Sequence, residues 1–349
     1  NGVGMGHLVR QMAIWRQMPT GTKALFLTTC PAFSLFEGAG VYLEYFPSDI
    51  YSNVAEGNWD IWFALRLMQL VRRFGVRIVV LDANVPFSGV MTLRKEFPAL
   101  RLVWVRRAMW GHHPQDLQRL RAQDQFDLVI EPGDLAEAYD TGPTRALRHS
   151  VTRVPPILLH HADEALDRES ACRALGLARD TVNICLQLGA EVADNAVDLV
   201  AGVCEELEAC HGVTPVWCRS ILAPARPGLE AVVPTARIFP LTKYMAAFDL
   251  AISAAGYNTF HELHQARIPT VFVANTAPGM DNQAARAAFA ADAGWARLAN
   301  RTQISIMEAL RPLLESDERA QMHQHFDARP LPNGAVRAAQ AILALAAAA

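Results

Sequence analysis

The sequence predicts an α/β fold of two open, doubly wound domains, and three observations carry that expectation. Short apolar runs alternate with helix-length amphipathic segments along most of the chain. The rhythm breaks at a proline pair, Pro155-Pro156, and then restarts. At 349 residues the chain is longer than one core comfortably serves. Strand alternating with helix over such a length argues for a parallel sheet covered on both faces.

The elements follow in order. GVGMGH is a glycine cluster ahead of the helix LVRQMAIWRQM, and TKALFLTT is an apolar run of buried-strand type. NWDIWFALRLMQLVRRFG has helical spacing and ends at Gly75, with Trp59, Trp62 and Phe63 expected in the core. VRIVVLDAN, LRLVWVRR and FDLVIEP read as strands. Beyond the proline link, TVNICLQLG is a strand ending in glycine and AVDLVAGVCEELEAC an amphipathic helix. VTPVWCRS, ARIFPL, FDLAISAAG and PTVFVAN supply four more strand candidates. The boundaries are expected at residues 1–158 for the first domain, 159–335 for the second and 336–349 for a terminal packing helix. In open α/β sheets ligands bind beyond the carboxyl ends of strands, and between two such domains the cleft is the expected site.

Composition narrows the partners. A net charge of −3 gives no bulk drive toward nucleic acid. No run of 18 uncharged apolar residues is present, so no membrane-spanning helix is expected. The six cysteines form no CxxC pair and read as free thiols of a reducing cytoplasm.

Chemistry concentrates in DLAISAAGYNTFHELHQARIPTVFVANTAPGMDNQAARA. The strand DLAIS runs into Ala254-Ala255-Gly256, and a helix follows through Tyr257, Asn258 and Thr259. First-turn N–H groups lack intrahelical partners and the dipole is positive there, which suits a diphosphate. Glu262, about a turn further on, is placed to accept from ribose hydroxyls. Asp281, Asn282 and Gln283 follow the next strand with polar groups able to reach a sugar. In the opening loop, Gly4 and Gly6 allow close backbone approach. His7 at a helix start is expected to stay neutral and serve as general base. Arg106, Arg107, Trp110 and His112 follow a strand and read as acceptor-side residues, the alternative being a solvated basic turn. No Asp-x-Asp pair is present to hold a metal, so no metal is expected.

The segment around Gly256, Glu262, Asp281 and Gln283 resembles the donor-binding region of GT-B glycosyltransferases, especially the MurG family (glycosyltransferase family 28 C-terminal type). That family's first glycine loop, ending in Gly-His, is matched by Gly4, Gly6 and His7. The resemblance implies a GT-B fold, two Rossmann-like domains facing a central cleft, with the acceptor on the first and the donor on the second. It implies an inverting transferase of the hexosyltransferase class, with His7 as catalytic base. The co-substrate would be a UDP-sugar such as UDP-N-acetylglucosamine, with no cofactor, and the acceptor a glycan, a lipid-linked or a small molecule. A cytoplasmic place follows, compatible with a peripheral seat at the inner face of the membrane. The family's glycine-serine loop is replaced by Leu188-Gly189-Ala190-Glu191, leaving Gly189 to approach the diphosphate through backbone. A strand ahead of GVGMGH is also implied, and the beginning of the chain reads as truncated. The GxGHxxR pattern of Gly4, Gly6, His7 and Arg10 is similar, too, to the UDP-sugar hydrolase of pseudaminic acid synthesis, where the histidine would activate water. A non-catalytic nucleotide-sugar-binding protein is the third reading.

Overall fold

A computed structural model describes residues 4–52, 54, 56–111, 116–189, 194–231, 233–277, 281–326 and 331–347. The chain divides into two compact units. The first comprises Asn1–Gly133, Thr141–Leu159 and Pro332–Ala349, and the second Asp134–Asp140 and His160–Leu331.

In the first unit, β1 (Leu25–Thr28) pairs in parallel with β2 (Tyr42–Tyr45). β3 (Ile78–Asp82), β4 (Arg101–Val105), β5 (Leu128–Pro132) and β6 (Thr152–Val154) form a separate parallel sheet in that order. Side chains of β4 alternate between faces, as strand geometry requires. Leu102 and Trp104 join a cluster with Trp59, Phe63, Leu67 and Val71 of the Glu56–Phe74 helix. Those four recur every fourth residue and make one helical stripe. Trp62 stands off that stripe and is 55 % exposed, so it is not the core residue the sequence suggested. Val103 and Val105 face the other way, toward Ala13, Ile14, Ala335, Ala338 and Ala339. The terminal helix, Ala335–Ala347, thus packs into the first unit's core. Its small residues at 335, 338 and 339 share one face and let its backbone approach the sheet.

In the second unit, β7 (Val182–Gln187), β8 (Val213–Cys218), β9 (Thr235–Ala236), β10 (Leu250–Ser253), β11 (Thr270–Phe272) and β12 (Ala296–Leu298) form one parallel sheet. The order is β12-β11-β10-β7-β8-β9. Only Thr235 and Ala236 of the region around ARIFPL are strand, and β12, three residues long, carries no alternation that a sequence reading could detect. From β7 the chain winds to β8 on one side, and from β10 to β11 on the other. The carboxyl ends of β7 and β10 are therefore the switch point of the sheet, where ligands of doubly wound folds bind. Among the described residues no helix is long and apolar enough to cross a membrane.

Candidate active site

In the first unit the site is a buried charge constellation around one histidine. The Gly6–Trp15 helix starts with no side-chain cap, and a Cβ at Gly4 would meet nothing within 4 Å. Asp82 closes β3 and is buried, with 2 % of its side chain exposed. His7 Nδ1 lies 2.6 Å from Asp82 Oδ1. Arg10 Nε donates to Asp82 Oδ2 at 2.8 Å and Arg10 Nη2 to Oδ1 at 2.5 Å, while Gln11 Nε2 donates to Oδ2 at 3.1 Å. Arg10 Nη2 also lies 3.2 Å from Nδ1, but the carboxylate is the nearer neighbour, and a proton on Nδ1 shared with it would leave Nε2 as the ring's acceptor. The side chain is 19 % exposed.

Burial lowers the His7 pKa to about 4; Asp82 opposes the shift, and the positive charges of Arg10 and Arg107 add to it. The sequence reading credited the helix start with keeping the ring neutral; burial is the larger cause. Burial alone would raise the Asp82 carboxyl, but Arg10 and His7 override it and hold the group well below the usual carboxylate range. The ring is therefore neutral near pH 7, and the fixed negative charge beside it can stabilise the imidazolium that forms on proton uptake. Asp82 was not singled out from the sequence. Its signal was a lone carboxylate ending an apolar strand.

In the second unit, β10 passes through Ala254-Ala255-Gly256 into the Tyr257–Gln265 helix, whose cap residue Gly256 makes no side-chain cap. Gly189, past the end of β7, has φ of +87°, and a Cβ there would lie 3.5 Å from that of Ala254. Two strand-end turns thus meet at the switch point, one of them needing glycine's left-handed freedom. Tyr257 is buried, while Asn258 and Thr259 are half-buried.

Glu262 is half-buried on the same helix. Burial raises its pKa to about 7, and no neighbouring cation or donor counters the shift. It borders a pocket of about 220 Å³ that His160, His161 and Gln265 also line.

The Asp281–Gln283 loop is held by its own protein. Asp281 Oδ2 accepts from Arg286 Nη1 at 2.5 Å, Asn282 caps the Gln283–Asp292 helix by accepting from Ala285 N, and Gln283 Oε1 accepts from Asn275 N at 3.0 Å. Arg286, fully buried, also donates to Asp134 Oδ2 at 2.7 Å and to the Ala255 carbonyl at 3.2 Å. The guanidinium therefore joins the loop to the Gly256 turn. Sequence reasoning passed over both Arg286 and Asp134, since partners 152 residues apart leave no local pattern.

The four acceptor-side candidates divide. Arg106 is buried, donating to Glu131 Oε2 at 2.6 Å and Gln123 Oε1 at 2.8 Å. Trp110 belongs to the aromatic core, edge-on to Trp104. Both side chains face inward, where they hold the unit together. Arg107 is half-buried and donates to Asn84 Oδ1. His112, like Ala190 and Glu191, lies outside the described residues. Among the described residues no group of three or more His, Cys, Asp or Glu side chains could hold a metal ion.

Residues 226–337 match the family model of the glycosyltransferase family 28 C-terminal domain. Among solved structures the chain is similar to Acinetobacter baumannii MurG, with a TM-score of 0.62 and 16% identity over 97% of this chain and 96% of that one. It is similar to CalG4, the calicheamicin glycosyltransferase, with a TM-score of 0.62 and 16% identity over 99% and 97% of the two chains. It is equally similar to a putative UDP-N-acetylglucosamine 2-epimerase from Listeria monocytogenes, with a TM-score of 0.62 and 13% identity over 97% and 91%. These likenesses establish the fold as GT-B, built of two Rossmann-like domains. No curated protein sequence matches the chain.

Proposed function

We propose that this chain, a GT-B fold carrying a family 28 C-terminal domain, transfers a sugar from a nucleoside diphosphate donor to an acceptor hydroxyl with inversion. One observation carries the reading. The uncapped start of the Tyr257–Gln265 helix lies at the switch point, and the same helix presents the uncountered carboxylate of Glu262 to a pocket. Backbone N–H groups and the helix dipole would receive the diphosphate, and Glu262 the ribose hydroxyls. Gln283 and Asn282, set on a loop tied down by Arg286, would border the sugar. His7 Nε2 would take the acceptor's proton as the new glycosidic bond forms at the anomeric carbon and the diphosphate leaves with the old bond's electrons. Such a base contributes about 10²–10⁴-fold, and donors aimed at the developing diphosphate charge contribute a comparable share. With the diphosphate met by backbone and dipole, the reaction is metal-independent in this reading.

The test is product analysis over a panel of nucleotide sugars in excess chelator, with and without acceptor extracts. A mass-identified glycoside with stoichiometric UDP release supports transfer. Free sugar at the same rate without acceptor selects the hydrolase, and nucleotide-sugar binding without turnover selects a binding protein. Loss of turnover on chelation, restored by magnesium, overturns metal independence.

A further inference from the structure

The arginine that joins the Asp281–Gln283 loop to the Gly256 turn is costly to bury. Arg286, on the Gln283–Asp292 helix, has a side chain 0 % exposed, and its Nη2 is buried without a hydrogen-bond partner. A buried donor without a partner forfeits its hydration. Neutral side chains of similar volume are often as stable as a buried ion cluster. Stability alone therefore does not account for this guanidinium, and what it holds is the better guide.

The carboxylate of Asp134 is set against its own backbone, Oδ1 accepting from Ala136 N at 3.0 Å, and Oδ2 takes Arg286 Nε at 2.7 Å. With Nε fixed, Nη1 donates to Asp281 Oδ2 at 2.5 Å and to the Ala255 carbonyl at 3.2 Å. The Ala255–Gly256 peptide is trans, and in a planar trans peptide the carbonyl and the N–H point in opposite directions. Holding the Ala255 carbonyl therefore aims Gly256 N–H away from the guanidinium. Gly256 is the cap residue of the Tyr257–Gln265 helix, so this N–H is among the donors that a helix leaves without intrahelical partners. On the strand side, Ala254 N donates to the Gln187 carbonyl of β7 at 3.0 Å, and the turn is clamped between sheet and arginine. We propose that Arg286 is a positioning residue for the donor, aiming Gly256 N–H at the diphosphate without touching the ligand itself. The inference rests on the nucleotide-sugar reading above. Asp134, from the short Asp134–Asp140 segment that belongs to the second unit, fixes the arginine.

The test separates aim from stability. The tightest binder among UDP, TDP, CDP, ADP and GDP is titrated beside its own nucleoside into three proteins. These are the wild type, Arg286→Lys, and the triple variant Arg286→Met, Asp134→Asn, Asp281→Asn. Calorimetry reads the diphosphate, ligand-observed NMR the nucleoside and denaturant titration the stability. Lysine keeps the charge, but one ammonium cannot stand in the places of both Nε and Nη1. Both variants are expected to bind the diphosphate about tenfold or more weakly and the nucleoside within about twofold of the wild type, because the lost hydrogen bond is one to a charged group. The triple variant keeps that deficit even where its stability is regained. Diphosphate affinity that returns together with stability in the triple variant overturns the inference, as does equal weakening of nucleoside and diphosphate. Should the triple variant not fold, a folded Arg286→Lys with wild-type diphosphate affinity overturns it. A wild type that binds none of the five diphosphates overturns the nucleotide-sugar reading, and the inference with it.

Discussion

Two titratable side chains, displaced in opposite senses by the same cause, set the chemistry at the residue scale. Burial disfavours charge, so it pushes the base His7 down to about 4 and the acid Glu262 up to about 7. In the proposed mechanism kcat at saturating donor is therefore level from about pH 5 upward, and its acid limb falls near 4 rather than 6.5. An acid limb near 6.5 would show that another group is the base. His7→Ala is expected to lower kcat about 10²–10⁴-fold with UDP affinity nearly intact, since the proposed donor contacts belong to the second unit. Calorimetry alongside single-turnover rates separates the two effects. Glu262 reverses the usual expectation for a carboxylate. A ribose hydroxyl donates to its charged form, so binding lowers the pKa of about 7, and UDP affinity should decline as pH falls through 7. The slope is at most about tenfold per pH unit, because binding to the charged form releases one proton. Glu262→Gln should flatten that dependence, and a wild-type affinity indifferent to pH between 6 and 8 would remove Glu262 from the ribose.

At the scale of elements, the Asp281–Gln283 loop and the Gly256 turn are held by one cation between two carboxylates. Asp134 and Asp281 flank Arg286, all three nearly sealed from water. Burial would raise Asp134, and Arg286 overrides it to hold that carboxyl below its usual range. Removing one partner of a buried ion pair costs ~3–5 kcal/mol, because the remaining charges are left uncompensated. Arg286→Met should therefore destabilise the protein by about that amount in denaturant titration, whereas Arg286→Met combined with Asp134→Asn and Asp281→Asn should recover much of the loss. A triple variant as unstable as the single one would show that the cluster matters for shape rather than for charge balance.

On the scale of the whole molecule, the chain's end returns to the first unit beside the proline pair. Asn333 Oδ1 accepts from Leu158 N and Asn333 Nδ2 donates to the Leu158 carbonyl, while Gly334 N donates to the Pro156 carbonyl. A Cβ at Gly334 would run into the Pro155 backbone, a rigid neighbour that cannot rotate away. Gly334→Ala is expected to cost ~1–3 kcal/mol as an overpacking substitution, read as a lower midpoint in denaturant at unchanged slope. An unchanged midpoint would mean that the return strap is not part of the cooperative core.

The sequence by itself determined the two α/β units, the strand-turn-helix around Gly256, the candidacy of His7 and Glu262, and the likeness to GT-B transferases. Each of these is written in local terms: apolar runs of strand length, glycines at strand ends, a carboxylate one helical turn past a turn of small residues. What the tertiary structure decided is non-local. Asp82 and His7 are 75 residues apart, and Asp134 and Arg286 are 152 apart. No period or spacing announces pairs that meet only when the sheets assemble. Burial, too, is a property of assembly. It turned Arg106 and Trp110 inward, exposed Trp62, and reset the affinities of His7 and Glu262 for a proton, because the cost of holding a charge depends on the surroundings that the finished fold supplies.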